Sequence, residues 1–389
     1  MNILRVIKSM NPKEGGPCQG IRNSIPALKA MGIHNEVVCF DDPDSDYLNE
    51  DFKIHALGEP KGPYAYNKEL QSWLSKNFSR FDAVIVHGLW LYHSYGTYKA
   101  WEKYKKNTAT YPKLYIMPHG MLDPYFQKAK ERRLKAIRNW VFYKLIEGRV
   151  INNATGVLFT CEEELLLART TFTPYHPKEE LNVSYGIQEP PVYTPQMKQD
   201  FLKLCPKVTE KPYILFLSRI HEKKGVDLLL NSYISLKNKY PEMSALVVAG
   251  PGMDTDFGKR LSKAAEETKD IYFPGMLTGN AKWGAFYGCE VFVLPSHQEN
   301  FGIALVEALA CGKPALITNK VNIWREIVNG RAGFVGEDTQ LGIDALLNEW
   351  LNFYKKGDNN SMGQNANSLY KNNFTVKEAA KKLVSSLKG

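Results

Sequence analysis

The sequence predicts an α/β protein made of two doubly wound parallel sheets in tandem. Three observations lead there. Short apolar runs alternate with amphipathic stretches throughout the 389 residues. A Pro-rich stretch, Glu189-Pro190-Pro191 through Pro195 and on to Pro206 and Pro212, separates two such series and reads as a linker. The chain is also 44% apolar and 23% charged, which excludes a disordered, collagen-like or disulfide-built protein. Strand–helix alternation is the pattern of parallel strands whose two faces are covered by helices.

In the first series, Ile3–Ile7, Val37–Phe40, Ala83–Val86, Lys113–Met117 and Val157–Thr160 are apolar runs of strand length. Helical spacing appears between them. Ile21, Ile25 and Leu28 form one stripe, ended by Gly32, and Leu134, Ile137, Val141 and Leu145 form another. The second series has strands at Tyr213–Ser218, Ala245–Ala249, Ile271–Phe273, Val291–Leu294, Ala315–Thr318 and Gly333–Val335.

The six cysteines are scattered, with no C-x-x-C pair, and read as reduced thiols. No run is long enough to span a bilayer, and the first residues read as a strand, not as a leader. A cytoplasmic protein is expected, peripheral at most at the inner face of a membrane. The formal net charge is +9, but residues 101–150 alone carry 12 Lys+Arg against 4 Asp+Glu. One local basic surface is expected, and no nucleic-acid coat.

In doubly wound sheets ligands bind beyond the carboxyl ends of strands, so the residues after each strand carry the candidates. After Val291–Leu294, the loop Pro295 to Gly302 delivers Glu299, Asn300, Phe301 and Gly302 to a helix amino end, which favours an anion. On that helix Glu307 lies about 200° from Leu305 and Leu309, so it should face away from the core, where a carboxylate could accept from a ribose diol. After Tyr213–Ser218 come Arg219 and Lys224, a fork and a point charge suited to a diphosphate. Gly250 and Gly252 follow the next strand, where glycines let the backbone approach a ligand. In the first half, Gly15-Gly16 is either a ligand loop or a tight turn. His87 and His119, at two strand ends, are either structural or part of a site. Two Asp-x-Asp strings, Asp44 with Asp46 and Asp254 with Asp256, read as surface loops, so no metal is expected.

Carrying these motifs, the sequence resembles the retaining glycosyltransferases of the GT-B fold, glycosyltransferase family 4, and within them members that build bacterial exopolysaccharides. The resemblance rests on Glu299 to Glu307 with the residues through Gly312, on Ser218 to Gly225, and on Pro118 to Pro124 and Val321 to Ile327. It implies two Rossmann-like domains facing across a cleft. Residues 1–205 would bind the acceptor, with a C-terminal helix at about 373–389 packing back on them, and residues 206–372 would bind the nucleotide-sugar donor. Arg219 and Lys224 would hold the diphosphate, Glu307 the ribose, and Glu299 would sit under the sugar with Phe301 and Gly302 beside it. His119 would contact the sugar, Gly15 and Gly16 would close near the phosphates, and the backbone at Gly275, Met276 and Leu277 would read the base. His87, Trp90 and Arg133 are the acceptor-side candidates.

The implied reaction moves a hexosyl group from a nucleotide-diphosphate sugar, UDP-glucose before GDP-mannose, to a growing oligosaccharide or lipid-linked acceptor, with no cofactor. The basic segment 128–149 would meet an anionic membrane or a polyprenyl diphosphate, or is simply a solvated face. Two rivals are a nucleotide-sugar epimerase of the same architecture and a non-enzymatic polyanion binder. The first should carry carboxylate acid–base partners in place of the Glu299–Glu307 block, and the second leaves that block unexplained.

Overall fold

The computed structural model describes residues 1–129, 132–208, 211–355 and 359–389. The chain divides into two compact units. Met1–Gly186 with Val376–Gly389 form the first, and Ile187–Thr375 the second.

The first unit is built on seven strands: β1 Asn2–Ile7, β2 His34–Cys39, β3 Lys53–Ala56, β4 Ala83–His87, β5 Lys113–Met117, β6 Gly156–Phe159 and β7 Glu180–Asn182. Their order is β3-β2-β1-β4-β5-β6-β7, and every pairing is parallel. Central strands such as β4 are buried along their whole length, which is why they read as continuous apolar runs. β3 and β7 escape that reading because they are short edge strands of mixed polarity, Lys-Ile-His-Ala and Glu-Leu-Asn.

The second unit has six strands: β8 Tyr213–Leu217, β9 Ala245–Ala249, β10 Ile271–Gly275, β11 Val291–Leu294, β12 Ala315–Thr318 and β13 Gly333–Gly336. Their order is β10-β9-β8-β11-β12-β13, again all parallel. In each sheet the winding reverses once, at β1/β4 and at β8/β11. At such a reversal two neighbouring loops diverge and leave a crevice at the carboxyl ends.

Two sequence expectations change. The boundary lies at Gly186/Ile187, ahead of the expected 205/206, because the helix Pro195–Leu204 packs against the helix Gly279–Gly288 of the second unit. Gly284 shows how closely: a Cβ there would lie 2.0 Å from the Met197 carbonyl oxygen. The Pro-rich stretch is therefore structured in part and belongs to the second unit. At the other end, the helix Val376–Lys388 packs on the helix Gly16–Ala30 of the first unit, burying Ala380, Leu383 and Leu387.

The stripe Leu134, Ile137, Val141 and Leu145 is helical but does not face the core. These side chains are 84%, 62%, 42% and 63% exposed, and Trp140 beside them is 53% exposed. The buried side of this helix, Arg133–Phe142 continuing through Tyr143–Glu147, is instead Ala136, Asn139, Tyr143 and Glu147. Glu147 binds the Ser94 hydroxyl and the Trp90 N–H, so a polar anchor chose the face that periodicity would have left outside. Arg133, Lys135, Arg138 and Lys144 are exposed with the stripe, and Lys130 of the basic segment lies outside the described residues.

Candidate functional site

The second unit brings most of the expected donor residues to one sheet end. β8 and β11 are neighbours at the reversal, so the loops that follow them run side by side. The His297 N–H donates to the Lys223 carbonyl at 2.9 Å, joining the two loops main chain to main chain. Gly225 makes this approach feasible: with φ +63, a Cβ on it would lie 2.0 Å from the Pro295 carbonyl oxygen. The loop after β12 completes the cluster. Glu299 N–H donates to the Lys320 carbonyl and Asn322 N–H to the Glu299 carbonyl, both at 2.9 Å.

These contacts place Lys224 against Glu299 in an ion pair, with only 10% and 23% of the two side chains exposed. Arg219, in the same loop, is exposed and has no partner among the described residues. Gly302 is the N-cap of the helix Ile303–Ala310, in the left-handed region, and as a glycine it supplies no side-chain cap to that amino end. Asn300 accepts from the Asn322 amide, and Phe301 is buried edge-on to Phe374. A fixed cation, a guanidinium with no partner among the described residues and a helix end opened by a glycine thus belong to one loop cluster, a combination suited to a phosphate-bearing anion.

Glu307 turns away from Leu305 and Leu309, which are fully buried. It is not simply open to solvent. One carboxylate oxygen accepts from Lys282 Nζ at 2.8 Å, and the other has no partner among the described residues. Lys282 stands on the helix after β10, and only its fold position links it to Glu307, so no local motif announced it. Gly250, at φ +143, lies where a Cβ would be 1.8 Å from the Ser218 carbonyl oxygen. Its N–H donates to Gly275 at 2.8 Å, so the ends of β8, β9 and β10 are stitched together. Beyond Gly275, Met276 is 64% exposed while the Leu277 side chain is buried, leaving only backbone from Leu277 to offer. Asp44, Asp46, Asp254 and Asp256 are all exposed.

In the first unit His87 and His119 meet directly, His87 Nδ1 lying 2.9 Å from His119 Nε2. Gly15 and Gly16 open the helix Gly16–Ala30, with nothing within 4 Å of a Cβ built on Gly15. Trp90 sits at φ +72, held by its N–H to Glu147 at 3.0 Å. Arg133 makes no hydrogen bond or ion pair among the described residues. Sequence reasoning missed Glu147 and Glu164, two buried carboxylates that hold the loops after β4 and β5. Glu164 accepts from the Gly120 N–H at 2.5 Å, fixing the turn that carries His119. Nothing near either Glu in sequence distinguishes it from a surface residue.

Burial sets the protonation of this region. His119 and His93 are lowered to about 4 by desolvation, and His87 is held well below its ordinary value. Glu147 is pushed up to about 7 by the same cause. Below pH 6.5 the unfolded chain binds protons that the three folded imidazoles refuse, so folding stability falls with pH. Glu147 acts oppositely between pH 7 and 4.5, where the folded state is the one holding the extra proton. Three groups outweigh one. The melting temperature should therefore drop by roughly 5–10 °C between pH 6.5 and 4, and more steeply in Glu147→Gln. Calorimetry across that range checks both, and a flat profile would mean the imidazoles are not buried neutral.

The comparisons with known proteins follow this geometry. Residues 199–369, nearly the whole of the second unit, match the family model described as Glycosyl transferases group 1. Mannosylfructose-phosphate synthase of Agrobacterium fabrum is 30% identical over 129 residues, 31% of this chain and 28% of that protein. The chain thus spans less than a third of the length of that curated relative. Two solved structures are alike over the full chain. A glycosyltransferase from Rickettsia africae has a TM-score of 0.74 at 16% identity, covering 100% of this chain and 97% of that one. HepE of Anabaena, in complex with UDP and glucose, has a TM-score of 0.71 at 14% identity, covering 100% and 99%. At these identities the likeness is one of fold: two parallel-sheet Rossmann-like domains of the GT-B type.

Proposed function

We propose that this chain is a retaining, metal-independent glycosyltransferase of family 4 that moves a glucosyl group from UDP-glucose to a growing, lipid-linked polysaccharide. The observation that carries this reading is the loop cluster after β8 and β11, which holds the Lys224–Glu299 pair, Arg219 with no partner among the described residues, and a helix amino end whose N-cap is a glycine. The family match over the same residues supports it. The choice of UDP-glucose draws support from the fold likeness to HepE, which is solved with UDP-glucose as well.

In the reaction, the bond between the anomeric carbon and the diphosphate oxygen breaks, and its electron pair leaves with the nucleotide. Arg219 and Lys224 offset the charge that develops there. An acceptor hydroxyl forms the new bond on the same face of an oxocarbenium-like sugar, and its proton passes to a diphosphate oxygen. Glu307, with one oxygen tied to Lys282, keeps the other for the ribose hydroxyls. Two basic side chains neutralise the diphosphate, so no divalent ion is needed for that task.

A panel of nucleotide sugars tests the reading. UDP-glucose should be turned over with EDTA present, and NMR of the product should show the donor's anomeric configuration retained. Turnover of GDP-mannose alone would correct the donor. No turnover, and no melting shift with any nucleoside diphosphate, would overturn the reading.

The exposed stripe supports an anionic membrane as the place of reaction. Leu134, Ile137, Trp140, Val141 and Leu145 offer five large apolar groups, bordered by Arg133, Lys135, Arg138 and Lys144. Burying one such side chain contributes about 1.5–3 kcal/mol, and each basic residue near anionic lipid about 1 kcal/mol. Flotation with anionic liposomes should exceed flotation with neutral ones and should be lost in Leu134→Asp/Ile137→Asp. Equal or absent flotation with both lipids would exclude the membrane.

A further inference from the structure

Arg5 lies in the middle of β1, 2% exposed, and forms no ion pair among the described residues. A buried guanidinium without a carboxylate gains little for the cost of its desolvation, and one nitrogen, Nη2, has no partner among the described residues. Stability does not explain its presence. The bonds it does make have a direction. Arg5 Nε donates to Asn35 Oδ1 at 3.1 Å, and the Asn35 amide nitrogen donates to the Ile33 carbonyl at 3.4 Å, which fixes the orientation of that amide. Arg5 Nη1 lies 3.4 Å from His87 Nε2.

A guanidinium can only donate. His87 Nε2 must therefore accept, so the His87 ring proton is on Nδ1. That atom is 2.9 Å from His119 Nε2, which must accept in turn. The His119 proton is then on Nδ1, an atom with no partner among the described residues. The two rings are only 22° from parallel, and the main chain at His119, φ +53, is held by the Gly120 contact to Glu164.

We propose that Arg5 is a positioning residue which, acting through His87, fixes the tautomer of His119 so that this ring presents Nδ1–H as a hydrogen-bond donor. The use of His119 rests on the transferase reading above, in which it contacts the sugar. Its role is then donation to a sugar or phosphate oxygen and not proton abstraction, since the only free ring atom already carries the hydrogen.

Long-range proton–nitrogen NMR of histidine-labelled protein at pH 7.5 reads the tautomer without any substrate, with His87→Gln and His119→Gln to assign the signals. Wild-type protein should show both rings neutral with Nδ1–H. In Arg5→Met, His119 should lose its single tautomer, while Arg5→Lys, which keeps a donor, should retain it. With substrate, Arg5→Met should lower kcat about tenfold, the worth of one hydrogen bond, with KM little changed and no histidine titration appearing in the wild-type profile. An Nε2–H signal for wild-type His119, or a tautomer unchanged in Arg5→Met, overturns the proposal. The expected tautomers with full turnover in Arg5→Met would support the relay and remove His119 from the sugar site.

Discussion

Replacing Lys224 with Ala should lower kcat by about a hundred- to a thousandfold, the usual cost of removing one preorganised group aimed at developing charge. The reason is local. Lys224 is almost wholly buried and paired with Glu299, so its ammonium is already held in place before substrate arrives. Removing it also leaves the Glu299 carboxylate beside the loop where an anion should bind, and donor affinity should fall as well. A double-mutant cycle separates the two effects. Glu299→Gln added to Lys224→Ala should recover donor binding and leave kcat low. Steady-state kinetics over a range of donor concentration reads both parameters, and near-normal turnover in Lys224→Ala would remove this residue from the diphosphate site.

Gly225→Ala should be nearly as damaging, through structure and not chemistry. The residue has φ +63 and opens the helix Val226–Lys239, and its added methyl would meet the Pro295 carbonyl oxygen at 2.0 Å. Neither atom is on a flexible side chain, so the β8 and β11 loops must separate. A cost of about 2–4 kcal/mol is expected, or roughly 5–15 °C in melting temperature. The shift produced by UDP should vanish with it. Gly32→Ala is the control: its φ is also positive, at +75, but it has open space around it, so only the conformational cost of about 1–2 kcal/mol applies. Equal losses in the two variants would show that the contact with Pro295 is not what demands glycine.

Legibility followed burial. Strands surrounded on both faces, such as Ala83–His87 and Val291–Leu294, are continuous apolar runs and could be read directly. The short edge strands Lys53–Ala56 and Glu180–Asn182 carry polar residues and could not. The loops after β8 and β11 stood out by composition, since glycine, cations and a helix start fall together there. Lys282, Glu147 and Glu164 did not, because each acts on a partner distant in sequence: Lys282 on Glu307, Glu147 on Trp90, Glu164 on Gly120.

The helix from Arg133 marks the limit most clearly. Its period was evident, but period alone does not say which face is inward. The interior took Ala136, Asn139, Tyr143 and Glu147, because Ser94 and the Trp90 N–H offer hydrogen bonds to Glu147 and no apolar group could use them.

By itself the sequence determined two parallel α/β sheets and the residue types waiting at their carboxyl ends, because strand period, glycine placement and charge are properties of neighbouring residues. Strand order, the pairing of Lys224 with Glu299, the outward turn of the apolar stripe and the directed chain from Arg5 to His119 were decided only by the tertiary structure. Each depends on which distant segments become neighbours, and that is settled by the packing of whole strands and helices at once.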